Sequence, residues 1–60
     1  MLKEYMINLG YNEQQVNSIV NSYVFRGYKD ESILNKIKLI FEYFTKFGYI
    51  DNDIIRMTSN

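Results

Sequence analysis

Two stretches of the chain, EYMINLGYNEQQV (Glu4 to Val16) and EYFTKFGYIDNDI (Glu42 to Ile54), carry nearly the same pattern. Both begin with Glu-Tyr, both have Gly-Tyr at the same distance, and both then turn acidic or amide-rich before a β-branched residue. At an offset of 38 residues, four pairs are identical: Glu4/Glu42, Tyr5/Tyr43, Gly10/Gly48 and Tyr11/Tyr49. A helix–Gly–helix unit repeated at this period is typical of an α-solenoid, in which neighbouring units cover one another's apolar faces.

The apolar residues between the glycines recur at helical spacing. An amphipathic helix is predicted from the i, i+3, i+4, i+7, i+8 pattern of Val16, Ile19, Val20, Tyr23 and Val24. Asn12 and Gln15 precede this pattern at the spacing of a capping box. The segment Ser22 to Tyr28 is interpreted as the end of this helix and a loop.

The longest helix is predicted over Glu31 to Phe47, with Asp30 as its cap. Its expected main apolar face consists of Ile33, Ile37, Ile40, Phe41, Phe44 and Phe47. Leu34 and Leu39 widen this face, so we expect the helix to pack on more than one side. Lys36, Lys38, Glu42 and Lys46 are expected to face solvent.

Glycines mark the expected helix ends. Gly10 and Gly48 are predicted to take the left-handed conformation just past a helix, with Tyr11 and Tyr49 folding back on the preceding turn. Asp51 is then predicted to cap a short last helix that contains Ile54, Ile55 and Met57. The expected fold is all-α, a bundle of three to four helices that forms one to one-and-a-half units of an α-solenoid. The single domain, residues 1–60, would consist of units at about 1–29 and 30–60.

The composition limits the class of protein. A 60-residue domain buries only about 60% of its unfolded surface, and the absence of Cys and His argues against disulfides and a structural zinc site. Ten aromatic residues (six Tyr, four Phe) supply a core, while seven basic and seven acidic residues cancel. No apolar run has the length of a membrane span, and the first residues do not resemble a signal peptide. We therefore expect no membrane partner and a cytoplasmic location.

Two segments, LGYNEQQVNSIV (residues 9–20) and ILNKIKLIFEYFTKFGYIDNDIIRMTSN (residues 33–60), resemble the repeat of the mitochondrial transcription termination factor family, especially its bacterial relatives. In that repeat a leucine-rich helix is followed by Gly-Tyr or Gly-Phe, an acidic cap, a second helix and a proline-containing turn. The resemblance implies a helical solenoid, and characterised organellar members bind nucleic acid through a basic concave surface. This chain departs from the pattern: Val24 takes the proline position, and the basic surface is missing. We expect an N-terminal capping unit, part of a longer repeat protein.

The residues around Gly27 are the candidate contacts for a partner, with a nucleic acid or a protein as the alternatives. They are Tyr23, Arg26, Tyr28, Lys29 and Lys36. Tyrosines can stack on bases, and basic side chains bind phosphates in a salt-sensitive way. Tyr23 and Tyr28 are expected to be the more exposed tyrosines, because the other four lie at repeat-equivalent positions in helix joints. The alternative interpretation is an ordinary solvated face, since acidic residues are interspersed among the basic ones.

Catalysis has little support in the sequence. Without His or Cys, only carboxylates could act as bases, and Asp30 and Asp51 are interpreted as helix caps, where negative charge is favourable. The run Asp51 to Asp53 begins like a calcium-binding loop, but the glycine and terminal glutamate of that motif do not follow. We therefore expect no enzymatic activity, no metal, no cofactor and no small-molecule substrate.

Two functional hypotheses remain. In the first, the unit belongs to a nucleic-acid-binding solenoid of the termination-factor type. In the second, it is a protein-interaction or self-associating helical module with no nucleic-acid role. The resemblance favours the first for a longer parent chain, and the neutral net charge favours the second for these residues.

Overall fold

The computed structural model describes residues 1–59, which form four α-helices joined by short turns. The helices are α1 (Leu2–Leu9), α2 (Glu13–Phe25), α3 (Asp30–Lys46) and α4 (Asp51–Thr58). No strand occurs within residues 1–59. Helix α1 packs against α2 and α3, and α4 packs against α3. The predicted all-α bundle is confirmed, with four helices.

Every turn between helices has the same backbone structure. Gly10, Gly27 and Gly48 all have positive φ (122°, 92° and 89°). The tyrosine after each glycine donates its backbone N–H to the carbonyl five residues earlier, from Tyr11 to Met6, from Tyr28 to Tyr23 and from Tyr49 to Phe44. Each glycine N–H bonds to the carbonyl three residues earlier, so all three turns are Schellman motifs. The prediction is confirmed at Gly10 and Gly48, and the sequence analysis missed the third instance at Gly27.

These turns also fix where the next helix begins. The second residue after each glycine, namely Asn12, Lys29 or Ile50, takes an extended backbone conformation and is the N-cap. The capping box at Asn12 is confirmed, with both Asn12–Gln15 hydrogen bonds at 2.8 Å. The predicted caps Asp30 and Asp51 are wrong, because each is the first residue of its helix and neither N-cap position has a side-chain cap bond. Their carboxylates instead interact favourably with the positive, N-terminal end of the helix dipole.

One apolar core contains residues from all four helices. Its buried members are Leu2, Met6, Tyr11, Val16, Val20, Ile33, Ile37, Phe41, Ile54 and Ile55. Ile40 and Phe44 pack at its edge and are only half-buried, and Phe47 and Met57 are exposed. The predicted face of α3 was therefore too wide at its C-terminal end, because the short α4 covers only part of it.

Tyr11 connects the first turn to the last helix. Its ring lies edge-on to Phe41, with the ring centroids 6.1 Å apart. Its hydroxyl lies 2.5 Å from Thr58 Oγ1. Since the Thr58 hydroxyl donates to the Ile54 carbonyl at 2.9 Å, the Tyr11 phenol is the donor to Thr58. The equivalent Tyr49 is exposed, so only the first of the two repeated tyrosines is a core residue.

The buried phenol makes stability sensitive to alkaline pH. Burial raises the pKa of Tyr11 above its usual value of 10.0, because a phenolate is poorly solvated in the core. The stability that this shift contributes is fully present below about pH 10 and is lost as the pH rises through the folded-state pKa. Tyr11→Phe should remove this loss and should also cost about 1 kcal/mol at neutral pH through the missing hydrogen bond.

Urea unfolding of the wild type and Tyr11→Phe at about pH 8 and about pH 11 tests this prediction. The repeat-equivalent Tyr49→Phe is the control, because its ring is exposed. If the free energy of unfolding falls between the two pH values by the same amount in Tyr11→Phe and in the wild type, Tyr11 is not responsible.

Candidate partner-binding site

Four of the five predicted contact residues meet around the Gly27 turn. The rings of Tyr23 and Tyr28 lie edge to face, with centroids 5.3 Å apart. The Arg26 guanidinium carbon lies 4.8 Å from the Tyr23 centroid and 5.9 Å from the Tyr28 centroid. Lys36 Nζ lies 5.0 Å from the Tyr28 centroid. These four side chains are called the cation–tyrosine cluster below.

The Schellman motif at Gly27 positions the two tyrosines. Tyr28 N–H donates to the Tyr23 carbonyl at 3.0 Å, which brings their side chains onto the same turn of α2. An apolar contact between these two positions commonly accompanies the motif. Lys36 comes from the second turn of α3, so the angle between α2 and α3 completes the cluster. Lys29 does not stack on either ring, but it lines a shallow groove of about 470 Å³ together with Arg26 and Tyr28.

The cluster carries positive charge that the described acidic residues do not neutralise by direct contact. Within residues 1–59, ion pairs join the N-terminal ammonium to Glu4 (3.6 Å) and Arg56 to Asp53 (3.2 Å). Arg26, Lys29 and Lys36 take no part in either pair. Asp30 and Glu31 follow Lys29 in the first turn of α3. Their negative charges make the local electrostatic potential less positive, but among the residues that the structure describes they form no ion pair with the cluster.

The exposure of the tyrosines differs from the expectation. Tyr23 and Tyr28 are half-buried against the core, whereas Tyr43 and Tyr49 are 59% and 44% exposed. The reason is that Tyr23 and Tyr28 pack against the core. Tyr49 does not, although the same kind of turn folds it back on Phe44. Lys36, predicted to face solvent, is also partly covered. The cluster therefore presents cations and ring edges rather than open ring faces.

The part of the chain that the structure describes gives little support for other kinds of site. Within residues 1–59, no three carboxylates come close enough together to hold a metal ion. A groove of about 650 Å³ between α1 and α2 is lined in part by Lys3, Glu4 and Glu13. None of the candidate contact residues lines this groove. No helix in residues 1–59 has the length and apolar character needed to cross a membrane.

The sequence analysis missed one conspicuous surface, on the side of α3 that faces away from the core. Leu39, Tyr43 and Phe47 are 62%, 59% and 65% exposed. Their i, i+4, i+8 spacing was a usable signal, because it defines a second apolar line about 200° around the helix from Ile37 and Phe41. Of these three residues, only Leu39 was noted, together with Leu34, as evidence that α3 packs on more than one side.

No protein family, no curated protein and no solved structure matches this chain.

Proposed function

We propose that the chain is a non-catalytic helical-repeat module that contacts nucleic acid through the cation–tyrosine cluster, as an N-terminal capping unit of a termination-factor-like solenoid. The observation that carries the proposal is the placement of two cations, Arg26 and Lys36, at 5.9 and 5.0 Å from one tyrosine ring, Tyr28. The proposed setting is the cytoplasm, and the proposal includes no cofactor and no small-molecule substrate.

The repeated turns support the solenoid part of the proposal. The hydrogen bonds at Gly10 and Gly48 join residues that correspond at the 38-residue offset, Ile7 with Thr45 and Met6 with Phe44. The same bonds recur at Gly27. One local rule, helix–Gly–Tyr–cap–helix, therefore produces every connection in the chain and would serve equally well in further units.

The geometry favours one kind of nucleic-acid contact. Cation–π contacts restrict the Arg26 and Lys36 side chains while their charges remain available to phosphate oxygens. Because the tyrosines are half-buried, they contribute edges and hydroxyl groups and little base stacking. The contact should therefore depend on backbone charge, with weak sequence preference and strong salt dependence.

An amide NMR titration with a short DNA duplex and a single-stranded RNA, at low and at physiological salt, tests the proposal. Shifts should centre on Arg26, Lys29 and Lys36 and weaken as salt rises. In Arg26→Ala/Lys36→Ala the slope of log K against log salt for the duplex should fall in magnitude by about 1.8, since each lost phosphate contact removes about 0.9.

The matched control is Lys38→Ala. Lys38 also lies over a tyrosine, with its Nζ 5.7 Å from the Tyr5 centroid, but it is outside the cluster. Its removal should leave the shifts around Gly27 in place. A folded protein that shows no shifts with either nucleic acid, or one that loses as much binding with Lys38→Ala as with the double variant, would refute the proposed contact.

A further inference from the structure

A line of large apolar side chains is exposed along the outer side of α3. This outer stripe consists of Leu39, Tyr43 and Phe47. The Tyr43 and Phe47 rings lie edge to face at 5.0 Å, so they form a joined aromatic patch. Beside it runs a shallow groove of about 430 Å³, lined in part by Leu39, Ile40 and Tyr43 and bordered by Glu42 and Lys46. Apolar residues that stand together on a small domain mark an association surface.

The first half of the chain shows what normally covers such residues. At the 38-residue offset, Leu9 corresponds to Phe47 and Tyr11 to Tyr49. Leu9 and Tyr11 pack into the core that α3 and α4 complete, whereas Phe47 and Tyr49 stay exposed. The C-terminal end of α3 and the turn that follows it therefore present apolar residues for which these four helices provide no cover.

We propose that a second copy of the chain covers the outer stripe, with the two α3 helices packed antiparallel about a twofold axis near Tyr43. In this arrangement Leu39 of one subunit faces Phe47 of the other, and the two Tyr43 rings meet at the axis. A twofold interface uses the same patch on both subunits, so the patch must be complementary to itself. The proposal goes beyond the nucleic-acid contact and is independent of it, because the stripe and the cluster share no residue.

The charges beside the stripe meet this requirement of self-complementarity. Glu42 and Lys46 both border the groove and are four residues apart on α3. With Tyr43 at the axis, antiparallel pairing brings Glu42 to within about 3 Å, measured along the helix axis, of Lys46 of the partner subunit. The pairing occurs twice by symmetry. A parallel pairing would instead place Glu42 and Lys46 of the two subunits on opposite sides of the interface, so this charge pairing would be lost. The zero net charge of the chain adds no long-range repulsion between subunits.

Sedimentation equilibrium over a concentration series tests the proposal, with circular dichroism to verify that each variant is folded. The wild type should show a concentration-dependent monomer–dimer equilibrium. Tyr43→Glu should be monomeric, because it places two carboxylates together at the axis. The control is Phe25→Glu, a substitution at a side chain that is 90% exposed at the end of α2 and outside the stripe. It should dimerise like the wild type.

A charge exchange fixes the orientation. Glu42→Lys and Lys46→Glu should each weaken dimerisation by about tenfold, since attraction becomes repulsion at two symmetric surface pairs. The double variant Glu42→Lys/Lys46→Glu should regain wild-type affinity. A wild type that stays monomeric up to millimolar concentration overturns the proposal, as does a dimer that survives Tyr43→Glu. Single charge variants that dimerise as well as the wild type overturn the antiparallel arrangement.

Discussion

Replacing Ile37 by alanine is expected to lower the free energy of unfolding by about 2–5 kcal/mol. Ile37 lies in the middle of α3 and is 1% exposed, within the core that all four helices share. Truncation removes apolar contacts and leaves a cavity that the surrounding helices cannot fully close. A domain of this size has a total stability on the order of 3–9 kcal/mol, so a large part of the fold should be lost.

Leu39→Ala is the matched control for this prediction. Leu39 is on the same helix two residues further on, but it points away from the core and is 62% exposed. Its truncation should change the stability by less than about 0.5 kcal/mol. Urea unfolding followed by circular dichroism, at concentrations where the chain is monomeric, measures both variants. Equal effects would mean that α3 does not present Ile37 to the interior.

The helix boundaries could be predicted because local interactions set them. Asn12 and Gln15 form a capping box from side chains three residues apart, and Gly10 and Gly48 supply the positive φ that a Schellman turn requires. The turn at Gly27 uses the same rule but was hidden, because Val24 and Phe25 before it look like core residues and are exposed. The rule used for Gly10-Tyr11 and Gly48-Tyr49 also predicts a Schellman turn at Gly27-Tyr28.

The extent of the core could not be predicted, because it depends on where helices cross. The apolar residues of α3 encircle much of the helix, and periodicity alone does not say which of them α4 covers. The structure buries Phe41 and leaves Phe47 exposed, although both fit the predicted face. The repeat predicted the same environment for Tyr11 and Tyr49. The two differ for the same reason, because α4 covers Tyr11 and leaves Tyr49 exposed.

The proximity of three of the candidate contact residues could be predicted, and the form of the cluster could not. Tyr23, Arg26 and Tyr28 surround one glycine, so any compact turn would bring them together. The approach of Lys36 depends on the angle between α2 and α3, for which the sequence contains no direct signal. The half-burial of both tyrosines depends on their packing against the core. The Schellman hydrogen bonds alone do not produce it, because the same bonds at Gly48 leave Tyr49 exposed.

Gly10→Ala is expected to destabilise the fold by about 2–3 kcal/mol through two separate causes. The first is the backbone, because φ at Gly10 is 122°, a conformation that L-residues rarely adopt. The second is space, since a Cβ at this position would lie 2.8 Å from Ile55 Cδ1. Ile55 is itself buried, so its side chain has little freedom to move aside.

The other two glycines separate these causes. Gly27 and Gly48 also have positive φ, but a Cβ at either would meet no atom within 4 Å. Gly27→Ala and Gly48→Ala should therefore show the backbone cost alone, about 1–2 kcal/mol. Urea unfolding of the three alanine variants gives the comparison. Equal losses at all three positions would rule out a steric cost at Gly10.

A double variant identifies the atom responsible. Ile55→Val deletes Cδ1, the atom that the new Cβ would meet, and by itself should cost about 0.5–1.5 kcal/mol. Combined with Gly10→Ala it should cost about 1 kcal/mol less than the sum of the two single changes, because the clash is gone. Strict additivity would mean that the close approach of α4 to the first turn does not restrict residue 10. The requirement for glycine there would then come from the backbone alone, as at Gly27 and Gly48.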